Sequence, residues 1–310
     1  MERCGRQNCF APDTGCGVGH VDLSNCSDWI AQPATDSAEA EPGDHALLPW
    51  SGSALGLADL AFVAGCARPV IVGIVGLENA GKTTLLGAWY LLLGNGTARF
   101  KDRRFAGSFS LDGWEAVARS LRWSPGQLPG FPPHTTSRSG RAPGLLHLSF
   151  WDAVGERSRD YLLTDAPGEW FQRWAMNRDT PEAEGARWVA EHADVLLLIA
   201  DREALAGERR GAGRGALQRL CHRLAAERRA RPIALVWTKS DVEIAPEIED
   251  SVRRSVLELM PDAVEFSVSV VEAGSTWTDL LDWALKARRP RVELPPRTVI
   301  NDDPLFLYGV

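Results

Sequence analysis

One run of residues in this chain has the types and spacing needed to bind phosphate. It reads Gly-Leu-Glu-Asn-Ala-Gly-Lys-Thr from Gly76 to Thr83, matching the pattern GxxxxGK[ST] directly after the apolar run Val70–Val75. Glycines in such a turn let backbone N–H groups surround phosphate oxygens at the N-terminus of a helix. We expect Lys82 to contact the β- and γ-phosphates of a nucleotide and the Thr83 hydroxyl to ligate Mg²⁺.

The remaining residues of this loop and the first helical turn are expected to line the same phosphate site. Asn79 has two interpretations, an amide that stabilises the loop or the asparagine that potassium-stimulated GTPases carry at this position. The predicted nucleotide contacts beside Lys82 and Thr83 are Gly76, Glu78, Asn79, Ala80, Gly81 and Thr84.

A second candidate element is the acidic turn Asp165-Ala166-Pro167-Gly168, which has the spacing DxxG. An Asp at the carboxyl end of a strand points into the ligand crevice and can hold magnesium through water, while the Gly168 N–H can contact a γ-phosphate. The same spacing occurs at Asp152–Gly155. We favour Asp165 because two apolar runs then form a hairpin with Gly155 in its turn; Asp152 is the alternative.

The third element is Thr238-Lys239-Ser240-Asp241, which follows the apolar run Ile233–Trp237 and resembles the guanine-specificity pattern [NT]KxD. Asp241 would accept hydrogen bonds from the ring N–H and the exocyclic amine of guanine, neither of which adenine supplies. The aliphatic part of Lys239 would pack on the base. The alternative is a capped turn before a helix. Ser267 and Val268, in the run Ser267-Val268-Ser269, are the candidates to contact the guanine carbonyl.

A long segment rich in proline and glycine, residues 124–144, is predicted to be an irregular loop. Thr135 and Thr136 are its candidates to complete the magnesium shell in the triphosphate state, which would order the loop and make the protein a switch. Arg138 and Arg141 also lie there; for both, solvent-facing charge is favoured over a role as an arginine finger.

The N-terminal segment concentrates metal-ligating residue types. Four of the six cysteines and one histidine fall within the first 26 residues: Cys4, Cys9, Cys16, His20 and Cys26. We expect a structural zinc site of Cys₄ or Cys₃His type, with the choice among the five ligands open. Free thiols and disulfides are the alternatives, and disulfides are disfavoured in a cytosolic chain.

Composition excludes several classes of protein. The chain has 310 residues, of which 45% are hydrophobic and 24% charged, so it can bury a core and is not a disordered or collagen-like chain. The net charge of −7 provides no general attraction to nucleic acid, and we predict no nucleic-acid partner. Because the start lacks a secretory signal and no run approaches about 20 apolar residues, we expect a cytoplasmic protein without membrane insertion.

Short apolar runs alternate with helical stretches from Arg68 onward, the pattern of an α/β fold. Predicted strands are Pro69–Val75, Leu145–Trp151, Asp160–Thr164, Asp194–Ala200, Ile233–Thr238 and Val264–Val268. Predicted helices are Leu55–Ala64, Lys82–Leu93, Asp112–Leu121, Pro181–His192, Ala216–Arg229, Pro246–Met260 and Thr276–Ala287.

These elements predict a three-layer domain around a mostly parallel six-stranded sheet. The second and third strands are joined by too few residues for a crossover helix, so they should pair antiparallel. We predict three regions: residues 1–45 as the cysteine-rich zinc head and linker, residues 46–290 as the nucleotide-binding domain, and residues 291–310 as a tail.

Taken together, the three elements resemble those of the Ras-like branch of the translation-factor-related P-loop GTPases, over Arg68 to about Arg289. The phosphate loop is similar to that of Arf-like small GTPases, which favours guanine nucleotides. Within the branch, the head, the hairpin and the long loop resemble the bacterial double-GTPase families of conflict or defence systems. At Glu169 many such GTPases have the glutamine that positions the attacking water; an ionised carboxylate accepts but cannot donate a hydrogen bond, so the resemblance implies slow hydrolysis.

Three functional hypotheses follow. The first is a magnesium-dependent GTPase switch that binds GTP and GDP and controls a protein partner, a second GTPase or an effector complex, with Lys82, Thr136, Gly168 and Glu169 as catalytic residues. The second is a scaffold that holds GTP without useful turnover, which Glu169 would permit. The third is an ATPase of the same superfamily.

The aromatic residues after Gly168 have two interpretations: Trp170, Phe171 and Trp174 would either anchor a partner or pack under the sheet. The oligomeric state is open.

Overall fold

The computed structural model describes residues 3–4, 26, 29–30, 54–65, 67–122, 142–153, 155–208, 210–271 and 276–288. By its internal contacts the chain divides into two units, Met1–Leu48 and Pro49–Val310. In the first unit, β1 (Arg3–Cys4) pairs antiparallel with β2 (Trp29–Ile30). The other helices and strands described below belong to the second unit.

A seven-stranded sheet forms the centre of the second unit. Its spatial order is β4-β5-β6-β3-β7-β8-β9, and β5 alone runs antiparallel to its neighbours, β4 and β6. The strands are β3 (Val70–Gly76), β4 (Arg103–Gly107), β5 (Gly144–Asp152), β6 (Arg157–Asp165), β7 (Val195–Asp201), β8 (Ile233–Thr238) and β9 (Val264–Val268). The predicted α/β class, the six predicted strands and the antiparallel hairpin are confirmed.

The predicted number of strands was too low by one, because β4 forms a seventh, unpredicted strand at the edge of the sheet. Its sequence, Arg-Arg-Phe-Ala-Gly, has two charges and a glycine and no alternation of apolar and polar residues. One side of an edge strand has no partner strand within the sheet. Edge strands are often short and charged because these features prevent the unpaired side from pairing with another chain. Local pattern therefore does not distinguish β4 from a loop.

Helices cover both faces of the sheet, as the layered prediction requires. Apolar residues of α1 and α4–α8 pack in one core cluster and those of α2, α3 and α9 in a second cluster on the other face. Alternate residues of β3 contribute to each, Ile71 and Val75 to the first and Val72 and Ile74 to the second. Strands buried on both faces are continuously apolar, as in β7, and this made them predictable.

The helices are α1 (Leu60–Val63), α2 (Lys82–Gly94), α3 (Leu111–Ala118), α4 (Gly168–Met176), α5 (Glu184–His192), α6 (Arg202–Ala206), α7 (Arg210–Glu227), α8 (Pro246–Leu259) and α9 (Thr276–Lys286). Two of them, α4 and α6, were not predicted. The predicted helix Leu55–Ala64 is mostly replaced: Leu55 bridges to Leu145, a 3₁₀ turn follows at Leu57–Asp59, and only α1 is α-helical.

Candidate functional site

A cavity of about 540 Å³ lies at the carboxyl ends of the parallel strands. Crevices at this edge are where open α/β sheets bind ligands. Its lining comes from segments that are far apart in sequence: Glu78–Thr84, Ala166–Glu169, Glu203, Thr238–Lys239, Asp241–Val242, Val268–Val271 and Trp277. All three elements singled out in the sequence therefore contribute to one cavity.

The phosphate loop has the backbone that its glycine spacing predicts. Gly81 has a φ of 83° and Asn79 a φ of 59°, both in the left-handed region, and α2 begins at Lys82. Lys82 is buried, and its Nζ donates a 2.8 Å hydrogen bond to the carbonyl of Leu77. Burial lowers the pKa of Lys82 to about 8, although Asp165, Glu169 and Glu78 oppose the shift. An anionic ligand would compensate this buried charge.

Thr83 and Asp165 meet at the start of α2 and the end of β6. The Thr83 hydroxyl donates a 3.1 Å hydrogen bond to Asp165 Oδ1. Hydroxyl and carboxylate oxygens are the hard ligands that magnesium prefers, and magnesium sites with phosphate ligands need only one or two protein side chains. The donor chemistry of this pair fits magnesium.

The hairpin separates the two DxxG candidates. Asp165 pairs with Gly144 at one end of the ladder, whereas Asp152 pairs with Arg157 at the other. Eight residue steps along β6 correspond to roughly 26 Å. Neither aspartate lines the cavity itself, but Ala166–Glu169, directly after Asp165, do. Asp152 instead accepts a 3.1 Å hydrogen bond from the Gly155 N–H within the hairpin turn. The geometry therefore places Asp165, and not Asp152, beside the phosphate loop.

Gly168 lies against the phosphate loop so closely that no side chain fits. A Cβ added to it would be 2.3 Å from the Glu78 nitrogen and 2.4 Å from the Leu77 carbonyl carbon, both backbone atoms. Gly168 is also the first residue of α4, and Glu169 follows in the first turn and lines the cavity. Substitution of the glycine would thus displace the loop or the helix.

One buried hydrogen bond and one ion-pair cluster organise the end of β8. Thr238 Oγ1 donates to the carbonyl of Ala80 at 2.9 Å, which links β8 to the phosphate loop. The Lys239 ammonium donates to Asp201 Oδ2 at 2.8 Å and to Glu203 Oε2 at 2.7 Å. Burial by itself would lower the pKa of Lys239, but the bonds to these carboxylates outweigh it and raise the pKa above its usual value.

Asp241 is oriented by Ser269, whose hydroxyl donates to Asp241 Oδ1. Ser269 is itself held, because its Oγ accepts the Val271 N–H at 3.0 Å and its carbonyl accepts Trp277 Nε1 at 2.9 Å. Val268 lines the cavity as predicted, but Ser267 is exposed and does not line it. The serine that lines the cavity is Ser269, two residues after the predicted Ser267. Ser269 follows the end of β9 at Val268, so the alternation of the strand does not determine where its side chain lies.

Sequence reasoning missed Asp201 and Glu203. Asp201 is the last residue of β7, and its Oδ1 caps α6 by accepting the Glu203 N–H at 2.9 Å. The rule that selected Asp165, an acid at the carboxyl end of a buried strand, applies equally to Asp201 in Leu-Leu-Leu-Ile-Ala-Asp. Glu203 had no comparable signal in the sequence.

Several predicted residues lie outside the described residues: Thr135, Thr136, Arg138, Arg141, Cys9, Cys16 and His20, and the side chain of Cys4. Cys26 is buried and is not disulfide-bonded. No group of three or more His, Cys, Asp or Glu that could hold a metal occurs in the described part of the chain. The zinc site stays a prediction.

The aromatic residues after Gly168 belong to the core. Phe171 and Trp174 are fully buried in the cluster between α4, α5 and α7, and Trp170 is partly buried against it. Packing under the sheet, one of the two predicted alternatives, is what the structure has for Phe171 and Trp174.

Each helix in the described ranges is too short or too polar to cross a bilayer.

Comparison with known proteins gives one family match. The family model described as Double-GTPase 2 matches residues 70–281, more than half of the chain. No match is found among curated protein sequences.

Similar solved structures include Era in complex with MgGDPNP and nucleotides of 16S ribosomal RNA, at 20% identity and a TM-score of 0.35, covering 76% of this chain and 62% of that one. A variant of Aquifex aeolicus Era bound to GDP.AlF4− has 20% identity, a TM-score of 0.34 and the same two coverages. A variant of SsGBP has 16% identity and a TM-score of 0.36, covering 74% of this chain and 57% of that one. The chain thus spans less than two thirds of the length of each.

Proposed function

Because the chain belongs to the Double-GTPase 2 family of P-loop GTPases, we propose that its cavity binds GTP and GDP with magnesium and hydrolyses GTP slowly. The main support is that phosphate-binding and base-selecting segments line the same cavity. Lys82 and the loop N–H groups would hold the phosphates, and Asp241, oriented by Ser269, would accept the two guanine donors.

Thr83 and Asp165 would hold magnesium, and either Thr135 or Thr136 would complete its shell when GTP is bound. When bound, magnesium neutralises charge on the β- and γ-phosphate oxygens. The Gly168 N–H would contact the γ-phosphate. In hydrolysis a water oxygen bonds to the γ-phosphorus, the bond from that phosphorus to the GDP oxygen breaks, and the proton lost by water passes to phosphate or solvent.

Glu169 favours low turnover. It lines the cavity at the position next to Gly168, where an ionised carboxylate accepts a hydrogen bond from water but has no proton to donate to the γ-phosphate. This observation also supports a second candidate function, a GTP-binding scaffold without useful turnover.

Calorimetric titration with GDP, GTP and ATP tests the binding proposal, with Lys82→Ala as the deficient variant and Lys101→Ala, an exposed lysine, as the matched control. We expect magnesium-dependent binding of GDP and GTP, and ATP should not compete. Equal competition by ATP would instead indicate the ATPase hypothesis. Single-turnover phosphate release then separates the two GTP-binding candidates: release no faster than in Lys82→Ala, with or without partners, would eliminate the enzyme and leave the scaffold.

We further propose that the protein is a switch that controls a protein partner, a second GTPase or an effector complex, in bacterial defence. The resemblance of the sequence to the double-GTPase families of conflict or defence systems motivates this proposal, and the match to a family described as Double-GTPase 2 agrees with a second GTPase as the partner. A purified partner should bind the protein loaded with a non-hydrolysable GTP analogue at least tenfold more tightly than the protein loaded with GDP. Equal affinity for the two loaded forms would contradict the switch.

For the predicted zinc head, metal analysis of protein purified without added zinc should give about one zinc per chain.

A further inference from the structure

Glu203 is a cavity residue that the proposed nucleotide contacts do not use. It lies in the first turn of α6, and its side chain is 69% exposed although it is bonded to Lys239. Lys239 engages Oε2, and within the described residues the structure gives Oε1 no hydrogen-bond partner. Glu203 therefore presents a carboxylate oxygen to solvent at the cavity.

The strand order places Glu203 between the phosphate end and the base end of the cavity. The phosphate loop follows β3, Glu203 follows β7, and Thr238–Asp241 follow β8, while the sheet order is β3-β7-β8. In a nucleotide the ribose lies between the phosphates and the base. A ligand with its phosphates at Lys82 and its base at Asp241 would therefore place its ribose over the end of β7.

The charge of Glu203 does not prevent it from lying near a polyphosphate. Lys239 donates to Glu203 and to the nearly buried Asp201, whose side chain is 9% exposed, so one cation is shared by two carboxylates. The shared ammonium partly neutralises Glu203 and restricts its rotamer. A positioned, ionised carboxylate is a strong acceptor for hydroxyl groups.

From this placement we propose that Glu203 recognises the ribose hydroxyls and makes the site specific for ribonucleotides. The inference rests on the proposed function, because it requires a guanine nucleotide in the cavity. Oε1 accepts a hydrogen bond from the 2′- or 3′-hydroxyl, while Oε2 stays with Lys239. Nucleotides that lack these hydroxyls leave the carboxylate without its partner and bind more weakly.

The test compares GDP with 2′,3′-dideoxy-GDP and 2′-deoxy-GDP by calorimetry in wild type, Glu203→Ala and Glu258→Gln. Glu258 is an exposed glutamate on α8 that does not line the cavity, so it controls for the loss of one surface charge. A hydrogen bond to a charged acceptor corresponds to about a tenfold or larger difference in affinity. We expect wild type and Glu258→Gln to prefer GDP over the dideoxy form by that factor, and Glu203→Ala to bind both within about twofold.

The ratio of affinities separates ribose contact from an indirect effect through Lys239. If Glu203 only anchored Lys239, its removal would weaken GDP and dideoxy-GDP equally and leave the ratio unchanged, which would overturn the inference. A wild-type ratio near one would overturn it as well, with GDP binding and the proposed function intact. Failure of wild type to bind any guanine nucleotide would instead refute the proposed function and this inference together.

Discussion

Thr238 Oγ1 donates a 2.9 Å hydrogen bond to the carbonyl of Ala80, and this bond joins two segments that are 158 residues apart in the chain. Thr238 is the last residue of β8 and Ala80 lies within the phosphate loop. Because both ends of the bond are buried, it ties the segment Thr238–Asp241 to the phosphate loop without any ligand.

Replacing Thr238 with valine should loosen this connection. The variant keeps a side chain of similar volume but leaves the buried Ala80 carbonyl without its donor, which costs about 1–3 kcal/mol. We expect a comparable loss of unfolding free energy in urea and a GDP affinity roughly 3- to 10-fold lower. Thr238→Ser, which retains the hydroxyl, should lie closer to wild type on both measures. A valine variant as stable and as tight-binding as wild type would show that the bond does not organise the site.

Lys82 should make stability depend on pH. The pKa of Lys82 in the folded protein is about 8, below the usual 10.5. Below pH 8 the amine is therefore protonated in both the folded and the unfolded protein, and the full cost of burying its charge is present. Between pH 8 and 10.5 the unfolded chain binds more protons, and the stability of the ligand-free protein therefore rises with pH, by up to roughly 3 kcal/mol. Denaturant titrations of wild type and Lys82→Met at several pH values in this range measure the rise in unfolding free energy. Parallel curves for the two proteins would contradict the shift.

Asp241→Asn should change the preferred base. The asparagine amide donates where the carboxylate accepted, so it faces the exocyclic amine of guanine with a donor. We expect GDP affinity to fall by at least about 100-fold. Xanthosine diphosphate, which has a carbonyl in place of that amine, should bind the variant more tightly than it binds wild type. Unchanged GDP affinity in the variant would mean that Asp241 does not contact the base.

The two DxxG glycines provide a matched pair of substitutions. Gly168→Ala places a Cβ 2.3 Å from the backbone of Glu78, so it should displace the phosphate loop and weaken GTP binding by about tenfold or more. In Gly155→Ala the nearest atom is the flexible Arg157 Nε at 3.3 Å, and its effect on stability should stay within about 0.5 kcal/mol. The reverse ranking in GTP binding would favour Asp152 over Asp165 as the magnesium-side acid.

Sequence alone was enough for the features that depend on local geometry and patterning. The phosphate loop, the buried strands β3, β7 and β8 and the β5–β6 hairpin could be located because glycine spacing, continuous apolar runs and short connections constrain the nearby backbone directly. The residues Lys82, Thr83, Asp165 and Asp241 followed from these elements, since side chains after parallel strands meet at one edge of the sheet.

Tertiary structure decided the contacts that depend on strand order, not chain order. Nothing near Glu203 in the sequence indicates that β7 lies between β3 and β8, and that position alone places its carboxylate between the two ends of the cavity. The same holds for Ser269 on Asp241 and for the edge strand β4. Each is defined by a neighbour distant in the chain, and a local pattern contains no information about such neighbours.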